Sequence, residues 1–348
     1  MVERVRGNLL DAEVQALVNT VNIVGIMGKG IALQFKRAFP ENFAAYRKAC
    51  AAGQVKPGRM FIFDRGTFHF PRYIINFPTK RHWRGRSRIE DIQSGLAALV
   101  DDVKRLNIES IALPPLGCGH GGLDWGEVSQ LIEQAFAGLP DVRVLAFEPA
   151  GAPGASEMKN RTRRPKMTVG RAVILCLMNR YLVPGYDYPL SLLEVFKLAY
   201  FMQEAGQPLK LNFQEGNYGP YADNLRHVLN RMEGHFIQGW GDGRNAPTTP
   251  IRLLPGAAEE AEAFLKDHPK TEERFTRVAE LIEGFETPYG MELLSSVHWV
   301  ATRKDPQART DVEAAIASLR HWNNRKANLF QRPHIEAAWS RLRDLGWL

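Results

Sequence analysis

Cysteine is scarce in this 348-residue chain. Cys50, Cys118 and Cys176 are odd in number and far apart. That excludes the close pairs of a zinc site and the framework of a disulfide-stapled domain, and it fits a reducing compartment. Long apolar runs are missing as well. No stretch reaches the roughly 18–20 residues that a membrane span needs. The opening stretch, MVERVRGNLLDAEVQ, carries charge where a signal peptide needs an apolar segment. A cytoplasmic protein with no membrane partner is therefore expected. Two familiar phosphate signatures are absent too: a loop ending in Gly-Lys-Ser/Thr, and the GxGxxG spacing of a dinucleotide fold. There is no internal repeat.

What is present is an ordinary globular composition, 45% apolar and 24% charged. The length suits two domains of roughly 150 residues each. The formal charge of +7 is unevenly spread: +4 over residues 1–150, +5 over 151–172 and −2 over 173–348. A basic first half suggests an anionic ligand or substrate, and an acidic second half suggests a different task. Between the halves, PAGAPGASEMKNRTRRPK (149–166) is rich in Pro, Gly, Ala and charge, without apolar periodicity. We place domains at 1–155 and 168–348, with a linker at 156–167.

Before the linker, short apolar segments alternate with helical spacing. Strands are expected at about 2–7, 16–24, 60–63, 73–77, 110–114 and 143–147, and helices at about 30–38, 40–52, 88–106 and 125–137. In the third helix, Ile92, Leu96, Leu99, Val100 and Val103 recur at helical intervals. The alternation predicts a three-layer α/β/α domain with a mixed, mostly parallel sheet, whose ligand binds at the carboxyl ends of the strands. After the linker the spacing predicts mainly helices, with two short strands at 209–213 and 235–240, as in a winged-helix-like module.

Two glycine loops stand at strand-to-helix junctions. In VNTVNIVGIMGKGIALQFKRAF (18–39), a β-branched strand runs into Gly25, Gly28 and Gly30 and then into a helix. Glycines let backbone N–H groups approach a phosphate, the helix adds the positive end of its dipole, and Lys29 adds charge. A tight turn needing positive φ is the plain alternative. In LPPLGCGHGGLDW (113–125), Gly117, Gly119, Gly121 and Gly122 fall within six positions, more than one turn requires. Together the loops fit a diphosphate held from two sides, hence a nucleotide-type ligand.

These stretches carry a resemblance. GNLL (7–10), VNTVN…MGKGIA (18–32) and PPLGCGHGGLDW (114–125) resemble the macrodomain fold that binds ADP-ribose. MGKGIALQFK with NFPTKRHWRGRSR (76–88) looks more closely like the DarG antitoxins of DarT–DarG pairs, whose macrodomain removes ADP-ribose from DNA bases modified by the DarT toxin. The motifs cover residues 1 to about 150; the second half matches in layout only.

The resemblance implies that Asn8 and Leu9 hold the adenine, with Asn8 standing where the family has Asp. It implies that Asn22 contacts the distal ribose, that Met27, Gly28, Lys29, Gly30 and Ile31 form the first phosphate loop, and that Gly117, Cys118, Gly119, His120, Gly121 and Gly122 form the second. Lys80 matches the lysine on which DarG-like macrodomains rely. An ammonium there can protonate the leaving base, and a neutral amine can attack the anomeric carbon. Some lysine-dependent relatives carry an acidic partner in the second loop; here the nearest carboxylate is Asp124. His120 is either its substitute or a loop histidine in solvent.

RHWRGRSR (81–88) packs four arginines, a histidine and a tryptophan into eight residues. Arg81, Trp83, Arg84 and Arg86 suit a single-stranded nucleic acid, cations on phosphates and the ring on an unpaired base. A flipped nucleotide would bring its modified base to Lys80. No metal or redox cofactor is implied, with water as co-substrate and ADP-ribose as product.

The second half shows no catalytic constellation. NYGPYADNLRHVL (217–229) reads as a turn followed by an amphipathic helix. From Ala258 to Glu286 there are nine acidic residues against four basic ones. Such a face could imitate nucleic-acid phosphates toward a DarT-type toxin, which the resemblance makes this half's partner. An ordinary solvated face is the alternative. Two rival functions remain: a reader that binds ADP-ribose without cleaving it, and a DNA-binding regulator with a ligand-sensing macrodomain.

Overall fold

A computed structural model describes residues 2–181 and 189–348. The chain divides into two compact units. The first comprises Met1–Arg163 with Asp242–Arg244, and the second Arg164–Gly241 with Asn245–Leu348.

The first unit is built on six strands: β1 (Val2–Val5), β2 (Ala16–Asn22), β3 (Phe61–Asp64), β4 (Tyr73–Lys80), β5 (Ser110–Leu113) and β6 (Arg143–Phe147). Their order in the sheet is β1-β6-β5-β2-β4-β3. Every pairing is parallel except β3 with β4. Helices α1 (Gly30–Ala38), α2 (Pro40–Ala51), α3 (Ile89–Arg105) and α4 (Trp125–Phe136) complete it.

Side chains alternate across the pleat, as the two-residue repeat of a strand requires. Ala16, Val18, Ile75, Phe77, Ile111, Leu113, Val144 and Ala146 join one core with α3 and α4. Leu17, Ile74, Ala112, Leu145 and Phe147 join another with Phe35 and Ala38 of α1. A smaller cluster sets Tyr46 and Ala49 of α2 against Val21 and Met27. Helix α3 comes so close to the sheet that a Cβ on Gly95 would stand 2.2 Å from the Phe77 ring.

Because the strands on either side of β2 run parallel to it, the loops that leave β2, β4 and β5 share one edge. The register supplies the detail that matters. Asn22, the last residue of β2, pairs with Lys80, the last of β4, across an irregularity after Val21. Pro78 is part of the cause. It lacks an N–H, and it lies beyond Asn76, the last β4 residue paired with β3.

The chain just after β6 keeps to this unit. Ala155–Glu157 form a 3₁₀ turn. Lys159 pairs with Asp11 at 2.7 Å and donates to the Leu10 carbonyl at 2.8 Å.

The second unit is mainly helical: α5 (Val169–Tyr181), α6 (Leu192–Glu204), α7 (Asp223–Met232), α8 (Ala257–Leu265), α9 (Pro269–Ile282), α10 (Pro288–Trp299), α11 (Val312–Trp322), α12 (Asn324–Leu329) and α13 (Arg332–Asp344). Its two antiparallel pairs differ from the sequence expectation. The first is a hairpin of β7 (Phe213–Gly216) and β8 (Gly219–Ala222), so the stretch expected as a turn supplies a strand. Leu209 to Asn212 are not extended into it. Both backbone groups of Leu211 are taken by the Gln203 side chain, at 2.8 and 2.9 Å, in place of a strand partner. The second pair, β9 (Ile237–Gln238) with β10 (Arg252–Leu253), is short. The buried Glu233 carboxylate draws off the N–H groups of Gly239, Trp240 and Gly241, which ends the strand.

Candidate active site at the carboxyl edge of the sheet

The two glycine loops and Lys80 meet at this edge. Lys80 ends β4, and its ammonium donates to the carbonyl of His120 in the second loop at 2.5 Å. Seven residues on, the Ser87 N–H donates to the carbonyl of Gly121 at 3.1 Å. Two consecutive carbonyls of the second loop are thus held by the segment that leaves β4. Burial lowers the Lys80 ammonium from its ordinary value. A lowered value makes it a better proton donor and enlarges its neutral fraction.

Tight packing shapes the second loop. Gly117 has φ +73°, and a Cβ on Gly121 would stand 2.1 Å from the Gly117 oxygen and 2.3 Å from the Ser87 hydroxyl. Side chains at either position would open the loop. Burial pushes the Cys118 thiol up to about 12, so it stays protonated and is a poor nucleophile. His120 is exposed beside the loop. Partial burial lowers its imidazole, with Arg244, Lys80 and Lys29 pushing the same way. At neutral pH it is uncharged, able to donate or accept a hydrogen bond but not a standing acid. Asp124 is spent otherwise: its carboxylate accepts from the Glu127 N–H at 3.0 Å and caps α4.

In the first loop, Met27 is buried and Gly28 and Lys29 are exposed. Lys29 occupies the N-cap of α1 without a side-chain cap, leaving the helix end to other acceptors. The Gly30 N–H donates to the Asp242 carbonyl at 2.9 Å, and Gln34 reaches the Asp242 carboxylate at 3.2 Å. One N–H of this helix end is therefore already taken by a carbonyl oxygen. Ile31 packs partly against the α1 core. Asn22 is 7% exposed and turned into its own loop: it donates to the Ile26 carbonyl at 2.5 Å and accepts from Val24 N–H at 3.0 Å.

Asn8 lies at the start of a short turn, Leu9–Asp11. Its side chain accepts from the Leu10 N–H at 3.2 Å and donates to Asp11 at 2.8 Å, while Leu9 is buried. The arginine-rich segment is exposed on the rim. Arg84 stacks over the Trp83 ring at 4.4 Å, and His82 lies 5.4 Å from it. Arg81 is tied to Asp91 at 3.2 Å, which fixes the root of the segment, and Arg86 is exposed. Among the described residues, no group of three His, Cys, Asp or Glu side chains could hold a metal ion, and no helix is long and apolar enough to cross a membrane.

Sequence reasoning missed two residues at this edge. Ser87 fastens the second loop, and Tyr46 donates to the Asn22 carbonyl from beneath the first. Ser87 acts through its backbone N–H, which no residue type signals, and only the phenol of Tyr46 hinted at a bond; their partners lie 34 and 24 positions away.

The pattern of the family described as Macro domain matches residues 18–132. A DNA ADP-ribosyl glycohydrolase from Thermus aquaticus is 50% identical over 348 residues, all of this chain and 94% of that one. The chain belongs to the DarG family of DNA ADP-ribosyl glycohydrolases. The solved macrodomain of Thermus aquaticus DarG is 60% identical, covering 43% of this chain and 99% of that one, with a TM-score of 0.42. A DNA ADP-ribosyl transferase–DNA ADP-ribosyl glycohydrolase fusion protein from Thermosipho africanus is 34% identical over 143 residues, 37% of each chain. The two glycine loops and Lys80 lie together at one edge of the first unit's sheet.

Proposed function

We propose that the first unit hydrolyses the bond between ADP-ribose and a DNA base. The observation that carries this reading is Lys80. It stands opposite Asn22 in the sheet register and against the second glycine loop at 2.5 Å. A diphosphate lying between the loop of Met27, Gly28, Lys29, Gly30 and Ile31 and the loop of Gly117 to Gly122 would put its terminal ribose beside that amine. Asn8 and Leu9 would take the adenine, and Asn22 the terminal ribose. Trp83, Arg84 and Arg86 would track the single-stranded DNA, with Arg81 anchoring their segment through Asp91.

Cleavage breaks the bond from the ribose anomeric carbon to the base nitrogen, and the electron pair leaves with the base. Lys80 as an ammonium supplies the proton that neutralises the base, and water adds to the anomeric carbon. The proton that water sheds restores the ammonium. Asp124 caps α4, so this chemistry does not use a lysine–aspartate pair. His120, uncharged at neutral pH, would hydrogen-bond rather than act as the acid.

The test is an ADP-ribosylated single-stranded oligonucleotide. The intact protein should release ADP-ribose. Lys80→Ala should lose at least about 100-fold in turnover, as general acids commonly contribute 10²–10⁴, while ADP-ribose affinity stays within a few-fold. No release by the intact protein would leave only the reader, and equal release by both proteins would remove Lys80 from the chemistry.

The second unit we assign to capture of a DarT-type ADP-ribosyltransferase toxin, as family membership and the fused Thermosipho relative suggest. Its exposed acidic residues supply the chemistry, and a charge-reversed variant in a toxin pull-down tests it.

A further inference from the structure

Tyr46 is a fully buried residue of α2, and its hydroxyl leaves the apolar cluster around it to donate to the carbonyl of Asn22. That carbonyl is the last one of β2. The same hydroxyl lies 3.3 Å from the Asn22 side-chain oxygen. Asn22 in turn knots the chain that follows. Its oxygen accepts from Val24 N–H at 3.0 Å and Ile26 N–H at 3.3 Å, and its nitrogen donates to the Ile26 carbonyl at 2.5 Å. This is an Asx-type turn closed by three bonds.

One helical turn beyond Tyr46, Cys50 lies under Gly25. A Cβ on Gly25, which has φ +78°, would meet the Cys50 Cβ at 3.4 Å. Burial raises both the Tyr46 phenol and the Cys50 thiol, so both stay protonated at neutral pH, and the Arg47 stem lies beside Cys50 under Gly25. Met27 closes the turn by inserting beside Tyr46, Ala49 and Val55. Residues 22, 25 and 27 are thus seated on α2, while Val24 and Ile26 are 44% and 43% exposed and Gly28 and Lys29 face outward.

The geometry points to Tyr46 as a positioning residue: acting through Asn22, it sets where the first glycine loop stands relative to Lys80. Two features separate this from ordinary packing. The hydroxyl bonds to the one β2 residue that both pairs with Lys80 and holds the loop. The ring alone would fill the cluster equally well as phenylalanine. The inference rests on the proposed hydrolase reading for its kinetic consequence, but not for its structural one.

The experiment is Tyr46→Phe in the full chain, with Val103→Ala, in the core on the far face of the sheet, as a control for lost stability. Tyr46→Phe should raise the dissociation constant for ADP-ribose about 10-fold and lower kcat on the modified oligonucleotide about 10- to 100-fold. An ångström of misplacement has that order of effect. Val103→Ala should lose thermal stability and leave both constants within twofold. Hydrogen exchange of amides 24–30 gives a readout independent of activity, and it should quicken at least 10-fold in Tyr46→Phe alone. If Tyr46→Phe does not fold, Asn22→Asp, which keeps the acceptors and removes the donor to Ile26, should quicken the same amides. Unchanged exchange at 24–30 in the folded variant overturns the inference. A wild-type protein that neither binds nor cleaves, with exchange altered as stated, overturns the hydrolase reading and leaves the positioning role standing.

Discussion

His298 shows how much one buried side chain can govern. It is 2% exposed on α10, its Nδ1 lies 2.6 Å from the Tyr200 hydroxyl, and its ring meets Phe201 and Trp347 edge-on. Burial lowers it to about 3, with Arg303 and Arg277 adding to the effect. The folded value is depressed, so the unfolded chain binds the proton more readily. Its contribution is complete above about pH 6.5 and is lost as the pH falls from there toward 3, by about 1.4 kcal/mol per pH unit. Lys197, lowered by burial to about 7, titrates outside that window. Denaturant melts at pH 6.5 and pH 5 should therefore differ by about 2 kcal/mol more in the wild type than in His298→Phe. Equal differences would show that the imidazole does not carry the acid sensitivity.

Among the elements, the second glycine loop is tightly specified at one position and open at another. Within one six-residue stretch, Gly121 has no room for a Cβ, while nothing lies within 4 Å of the position a Cβ would take on Gly119. Gly121→Ala forces the Gly117 oxygen and the Ser87 hydroxyl apart, a strain of about 1–3 kcal/mol. It also shifts the carbonyls that Lys80 and Ser87 hold. ADP-ribose affinity, measured calorimetrically, should fall at least 10-fold in Gly121→Ala and change less than about threefold in Gly119→Ala. Similar losses in both would mean that the loop tolerates displacement.

For the whole molecule, charge is the organising quantity. The chain carries +7, yet residues 173–348 carry −2. Of the nine acidic residues between 258 and 286, several are committed within the second unit. Glu260 pairs with Arg164, Glu272 with Arg180 and Glu283 with Arg341, and Glu262 accepts from Asn179. Glu259, Glu273 and Glu280 are exposed. Reversing these three to lysine should weaken toxin capture in a pull-down at least 10-fold. Capture by the wild type should fade from about 0.15 to 1 M salt, as the screening length drops from ~8 to ~3 Å. Capture indifferent to both changes would remove the mimicry idea and leave a solvated face.

The sequence by itself determined the first unit's layering and the strand ends from which the two glycine loops and Lys80 leave. Each of those rests on local pattern: short apolar runs in β2, β4, β5 and β6, glycine runs at strand ends, and the motif around Lys80. Tertiary structure alone decided what each group does once there. Asp124 is a cap, Asn22 is knotted into its loop, and Tyr46 holds that knot from 24 residues away. The same cause misplaced a strand in the second unit, where Gln203 takes the backbone groups of Leu211 from eight residues upstream. A polar side chain chooses among partners by distance in space, and a linear pattern records only distance along the chain.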